Sequence, residues 1–212
     1  MDITQTITLA LIQGFTEFLP VSSSAHLVIL PKFLDWPDQG LAFDVVLHFA
    51  TLCAIIFYYR SSLVSLTKDF YDSIATRKTQ GESMLAWGII LGTIPVGIVG
   101  LLFRESIELN LRSYQVVAFA TIFFGLLLGF SDWLHRKFQK SREYIRGSDI
   151  LIVGCFQALA LIPGTSRSGI TITAALLIGL SRTLSIKYAF LLSIPVIALA
   201  TLLKTFDLVK DT

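Results

Sequence analysis

Four uninterrupted apolar blocks decide what this chain can become: Phe43–Tyr59, Leu85–Phe103, Tyr114–Leu134 and Ser185–Leu203, each with at most one or two charges, near an end. A helix rises about 1.5 Å per residue, so about 17–25 apolar residues cross the roughly 30 Å of a bilayer's hydrocarbon. A soluble helix of that length would carry a polar face, and these blocks carry none. Of 212 residues 54% are hydrophobic and 15% charged, where soluble domains average about 25% charged. The pattern predicts an all-α polytopic membrane protein with four full transmembrane helices, and it rules out intrinsic disorder. A net charge of +2 leaves no basic field for nucleic acid. Cys53 and Cys155 lie inside apolar blocks, where a thiol behaves as a small hydrophobe, so no disulfide framework is expected. No basic residues precede the first apolar stretch, so no cleaved signal peptide is expected.

Lys and Arg in the short loops set the orientation. Residues 60–84 hold Arg60, Lys68, Arg77 and Lys78, and residues 135–148 hold Arg136, Lys137, Lys140, Arg142 and Arg146. The loop between them sets Arg104 and Arg112 against Glu105 and Glu108. Two crossings separate the basic loops, so both can face the cytoplasm.

Two further apolar regions are interrupted. Ile3–Leu34 breaks at Leu19-Pro20-Val21-Ser22-Ser23-Ser24, and Ile150–Leu180 breaks at Ile162-Pro163-Gly164-Thr165-Ser166-Arg167-Ser168-Gly169. Each half reaches only about midway across a bilayer. Paired, Pro/Gly-interrupted short segments predict re-entrant helix–loop–helix hairpins at the interface of an inverted repeat. The two breaks align loosely, Gln13 with Gln157. The expected layout is a single membrane domain over 1–212. Residues 1–113 form a first repeat with its hairpin at 3–34, and 114–149 form a connecting span and cytoplasmic loop. Residues 150–212 form an incomplete second repeat with its hairpin at 150–180.

Irregular backbone at membrane depth is tolerated only where protein buries it or a wet cavity meets it. The breaks also hold ionisable groups, which are costly there and point to function. Glu17 and Arg167 are the natural partners. Bringing the hairpins together would gather them with His26 and the hydroxyls of Ser22, Ser23, Ser24, Thr165, Ser166, Ser168 and Thr171. Arg167 in a loop that opens a helix makes a phosphate clamp, a planar fork beside free backbone N–H groups. Taken singly, Ser22 or Ser168 reads equally as a helix cap. Gln13 and Glu17 lie one turn apart and could share a divalent cation with substrate oxygens. Ser23 and His26 are close enough for either to activate the other or to attack phosphorus. Asp44 and His48, also one turn apart, could line the cavity mouth or simply pack.

Gln13-Gly-Phe-Thr-Glu17-Phe-Leu-Pro-Val-Ser-Ser-Ser-Ala-His26 resembles the first signature of the bacterial undecaprenyl-diphosphate phosphatases, the bacitracin-resistance proteins. Pro163-Gly-Thr-Ser-Arg167-Ser-Gly-Ile-Thr171 resembles the second, and Phe43–His48 and Gly154–Ala160 are also similar. The resemblance covers essentially the whole chain. It implies a multi-pass hydrolase of the bacterial cytoplasmic (inner) membrane whose active site opens to the outer face. Such an enzyme converts a polyprenyl diphosphate lipid to the monophosphate and inorganic phosphate. That recycles the cell-wall lipid carrier of peptidoglycan synthesis and confers bacitracin resistance. The resemblance implies divalent-cation dependence, with Mg or Ca the expected ions, and a homodimer is compatible with it. The implied catalytic residues are Glu17, Ser23, His26 and Arg167; phosphate binding falls to Ser22, Thr165, Ser166, Arg167, Ser168 and Thr171, and the metal pair is Gln13 and Glu17. Which of Ser23 and His26 attacks stays open. Family members usually continue for two more spans, so the resemblance implies either a truncated chain or a partner that supplies the missing surface.

Three other readings compete. A lipid transporter or scramblase also uses broken helices in inverted repeats, but would need a polar path through several spans. Lipid phosphatases built on two histidines and an aspartate need a histidine after Arg167, and the sequence has none there. An inactive membrane subunit is the third.

Overall fold

A computed structural model describes residues 1–103, 106–107, 110–111, 113–138 and 141–210. Arg104, Glu105, Glu108 and Arg112 of the expected outer loop, and Lys140 of the inner one, lie outside the described residues. The described residues form nine α-helices. They are α1 (Ile3–Thr16), α2 (Ser23–Phe33), α3 (Gly40–Tyr58), α4 (Arg60–Thr76), α5 (Ser83–Leu102), α6 (Tyr114–Phe138), α7 (Gly147–Ala158), α8 (Arg167–Leu177) and α9 (Arg182–Lys210). A 3₁₀ turn at Leu159–Leu161 extends α7.

Helices α3, α5, α6 and α9 are long and apolar enough to cross a bilayer, and they coincide with the four expected blocks. The protein is a multi-pass membrane protein. All four outrun the apolar pattern: α3 and α5 begin three and two residues early, α6 continues four residues past Leu134, and α9 begins three residues before Ser185 and continues seven past Leu203. A helix does not stop where hydropathy does, because polar residues extend its hydrogen-bond ladder into the headgroup zone. Helix α6 leaves Phe119, Ile122, Leu126 and Phe130 exposed. In water that surface would be a liability; in lipid it is ordinary. Tyr114 and Trp133, near its ends, sit where aromatic side chains favour the interface.

The stretch 60–84, expected as a basic loop, is corrected by the structure: most of it is α4. Leu66 of α4 is buried in the main core, and the indole N–H of Trp87 donates to Ser73 at 3.2 Å. Its charges interleave with one apolar stripe, which hides the helix from a reading based on long apolar runs.

The core lies among α5, α7, α8 and α9, through Leu85, Ile150, Val153, Ala174, Tyr188, Leu191 and Leu192. Close approach is what glycine contributes here. A Cβ on Gly154 would sit 2.9 Å from the Gly92 carbonyl oxygen, so α5 and α7 touch backbone to backbone. The buried Tyr188 hydroxyl donates to the Gly88 carbonyl at 3.1 Å, filling the space that Gly88 and Gly92 leave.

Polar ties fix which ends meet. The start of α1 is joined to the segment after α2 by Gln5 Nε2 donating to the Pro37 carbonyl at 2.8 Å. Lys32 near the end of α2 donates to the Tyr114 hydroxyl at the start of α6, 2.7 Å away. Elsewhere, Arg142 bonds both oxygens of Asp149 in the first turn of α7, at 2.9 and 3.2 Å, and the Ile178 carbonyl just past α8 at 2.9 Å. The Asp149 carboxylate raises the Arg142 guanidinium above its ordinary value, chiefly by hydrogen bonding. Backbone bonds between Arg142 and residues 179 and 181 complete the staple. Asp132 near the end of α6 meets Arg182 opening α9 at 2.7 Å, and Lys187 of α9 meets Glu82 before α5 at 2.5 Å.

Candidate active site

The two interrupted segments meet at their breaks. Helix α1 delivers Gln13 and, at its C-cap, Glu17; both are buried. The chain then turns through Ser22, whose φ of 58° places it in the left-handed region. That conformation costs a non-glycine residue about 1–3 kcal/mol and is held only where the surroundings dictate it. Ser23 opens α2. The second break turns through Gly164 at φ 94°, and Ser166 caps α8 by accepting the Gly169 N–H at 3.2 Å. Arg167 follows as the first helical residue. Two helix N-termini, those of α2 and α8, therefore open at the breaks, each with free N–H donors that suit an anion.

Glu17 organises the junction. One oxygen, Oε1, pairs with Arg167 across the two breaks. The other, Oε2, accepts from the Ser23 hydroxyl at 2.5 Å and from Gln13 Nε2 at 2.9 Å. His48 of α3 brings Nε2 to 3.7 Å of the same oxygen. Ser168 Oγ donates to the Leu19 carbonyl at 3.1 Å, tying the breaks together a second time. The side chains of Arg167 and His48 remain 18% and 21% exposed, while Glu17 is at 2%. The carboxylate is thus sealed, with its serine and its two basic neighbours at the rim.

The structure separates residues that the sequence grouped. Ser23 faces Glu17, whereas His26 turns Nδ1 to its own helix, 2.9 Å from the Ser22 carbonyl. Thr171 is buried and donates to the Arg167 carbonyl at 2.8 Å. Ser166 and Ser168 lie 3.2 Å apart, Ser22 and Ser24 3.3 Å, hydroxyl to hydroxyl. The Thr165 hydroxyl is buried without a partner among the described residues. Sequence reading missed Thr121 on α6, which donates to Val117 and, at 3.1 Å, to the Gly164 carbonyl, buttressing the second break. A hydroxyl four residues after Val117 in an apolar span has a helix-internal partner, so nothing in the sequence marked it.

A resident divalent cation is a poor fit to this donor set. Among the described residues no three His, Cys, Asp or Glu side chains group as ligands. Both oxygens of Glu17 are engaged, one of them by a guanidinium. The Gln13 Oε1 atom is buried and unpartnered, and a lone amide oxygen is not a cage for Mg²⁺, which wants six oxygens.

A sealed carboxylate joins a serine to an arginine where the two interrupted segments of this four-span chain meet. The profile described as bacitracin resistance protein BacA matches residues 6–212. An undecaprenyl-diphosphatase of Ruthia magnifica is 58% identical over 98% of this chain and 78% of its own. One of Vesicomyosocius okutanii is 56% identical over 100% and 80%. Undecaprenyl-diphosphatase 2 of Stutzerimonas stutzeri is 55% identical over 99% and 78%. The chain belongs to the BacA bacitracin resistance family.

Proposed function

We propose that this chain is an undecaprenyl-diphosphate phosphatase of the bacterial inner membrane, releasing the terminal phosphate and returning the lipid monophosphate to cell-wall synthesis. The observation that carries the reading is the Ser23–Glu17–Arg167 chain of contacts. A hydroxyl donating to a carboxylate at 2.5 Å is poised to lose its proton, which favours Ser23 over His26 as the nucleophile. Arg167 offers its fork to the terminal phosphate, with Ser22, Ser166 and the N–H groups opening α2 and α8 around it. Ser23 Oγ attacks the terminal phosphorus as its proton passes to Glu17. The bond from phosphorus to the bridging oxygen breaks, and the lipid monophosphate leaves with that electron pair. Water then opens the phosphoserine. Because the described residues form no cage, a divalent cation would act by neutralising the charge of the diphosphate it accompanies, and no step of the chain's own residues depends on it. An apolar cleft of about 350 Å³ between α6 and Ile162, lined by Val116, Phe119, Phe123 and Phe124, suits the prenyl tail.

Phosphate release from a polyprenyl diphosphate by the purified chain tests the reading. Ser23→Ala should lose at least about a thousandfold in kcat, while His26→Ala loses far less. Chelator should slow turnover without lowering the melting temperature, since no ligand set is emptied. An active Ser23→Ala would remove the assignment.

The same proposal includes the topology. Both interrupted segments are re-entrant, entering from opposite faces as an inverted repeat, with the first opening outward. The ties of Gln5 to Pro37 and of Arg142 to Asp149 and Ile178 support this, because each brings together the two ends of one segment. Cysteines placed at Asp2 and Leu34, with Cys53 and Cys155 replaced, should label from the same outer side. Labelling from opposite sides would make 3–34 a span.

A further inference from the structure

His48 lies on α3, outside both interrupted segments, and the mechanism above gives it no part. Its ring is fixed from behind, with Nδ1 2.8 Å from the Asp44 carbonyl one turn back. A carbonyl only accepts, so Nδ1 carries the hydrogen and the neutral ring keeps its lone pair on Nε2. Nε2 faces Glu17 Oε2 at 3.7 Å, the oxygen on which the Ser23 hydroxyl also donates. Arg167 holds the other oxygen. A serine proton therefore arrives on an atom that already has a basic nitrogen in front of it.

Charge gives this arrangement its purpose. A proton kept on Glu17 would cancel a buried ion pair and leave Arg167 facing a neutral acid. Moving it to the imidazole restores the carboxylate, and His48 reaches the rim of the site where Glu17 does not. Among the described residues no second ring nitrogen or carboxylate contacts that oxygen. Helix α1 presents Glu17 itself and Gln13, whose amide donates to the oxygen through Nε2 at 2.9 Å and is not a base; α8 presents Arg167, and α2 carries His26 with its Nδ1 turned to Ser22. Helix α9 brings Phe190, Ile194 and Ile197 against the following turns of α3. Asp44, on α3 itself, has Oδ1 engaged by Gln39 at 3.0 Å.

We propose that His48 is the positioning residue of this reaction, accepting at Nε2 the proton that Ser23 gives to Glu17. The Ser23 O–H bond breaks as the O–P bond forms; the proton rests on Glu17 Oε2 and then on His48 Nε2. When water opens the phosphoserine, that proton returns by the same two atoms to the serine oxygen, which leaves with the P–O electron pair. The attacking water leaves one hydrogen on the released phosphate and gives the other to solvent. The inference rests on the phosphatase reading.

The test compares phosphate release from a polyprenyl diphosphate, across pH, for the wild type, Ser23→Ala, His48→Gln and His48→Phe. Turnover by the wild type and its loss in Ser23→Ala establish the reading itself. Both His48 variants should then lose about 100-fold in kcat, the low end of an acid–base contribution, with KM within about twofold. They should also lose one limb of the kcat–pH profile. Glutamine can still donate to Glu17 but cannot take its proton, so full kcat in His48→Gln, or an unchanged profile, overturns the proposal. The ¹⁵N shifts of labelled histidine in detergent, assigned by the resonance missing from His48→Gln, are independent of turnover. The Nδ1–H tautomer is expected; an Nε2–H tautomer overturns the proposal even if the wild type releases no phosphate.

Discussion

Arg167→Ala should cut phosphate release by about a thousandfold or more, because it removes the planar fork from the transferred group and the partner from the base. It should also destabilise the protein by about 3–5 kcal/mol, since Glu17 is left buried and unpaired. The two effects separate in the double variant Arg167→Ala/Glu17→Gln. A neutral amide needs no counter-charge, so the melting temperature should recover most of its loss while activity stays absent. Arg167→Lys should hold the fold but restore little turnover, because a point charge does not reproduce two parallel donors. Thermal melts in detergent and a phosphate assay check all three. An Arg167→Ala protein that turns over at the wild-type rate would end the clamp assignment.

The second large effect belongs to a residue without a side chain. Gly164 holds φ 94°, and a Cβ there would sit 2.4 Å from the Val117 carbonyl oxygen and 2.9 Å from its Cα. Both neighbours are α6 backbone and cannot step aside. Left-handed strain and the overlap together predict roughly 2–5 kcal/mol of destabilisation for Gly164→Ala. Activity should fall with it, because Arg167 and Ser166 hang from the displaced turn. Gly125 and Gly129 on the same helix have nothing within 4 Å of a built Cβ, so Gly125→Ala and Gly129→Ala should leave the melting temperature near that of the wild type. A Gly164→Ala protein as stable as these controls would show that the second break shifts freely along α6.

The pairing of Glu17 with Arg167 was legible because charge at membrane depth demands an opposite charge, and few candidates exist. The partner of Ser23 was not. Glu17 lies six residues before it, around a turn whose shape depends on Ser22 adopting a left-handed φ, and helical spacing says nothing across such a turn. His26, three residues after Ser23 on the same helix, is close in sequence, but its Nδ1 turns back to the Ser22 carbonyl. His48 was ambiguous for a different reason. Its one-turn spacing from Asp44 is a real contact, yet it runs through the backbone carbonyl, which frees the other ring nitrogen for Glu17. Thr121 left no trace in the sequence, because its reach to Gly164 exists only after α6 has packed on the second break.

The contact between Glu17 and Arg167 spans 150 residues of sequence, which bears on how such a chain is assembled as well as on what it catalyses. During synthesis the first half enters the bilayer with a carboxylate that has no counter-charge. The second half later brings a guanidinium whose own insertion costs about 2.5–3.5 kcal/mol near the bilayer centre. Each charge is a fault until the other arrives. Their meeting turns two unfavourable insertions into one neutral joint between the halves, at the proposed site. On this reading folding and catalysis depend on the same contact: a chain whose breaks fail to meet should lose stability and phosphate release together.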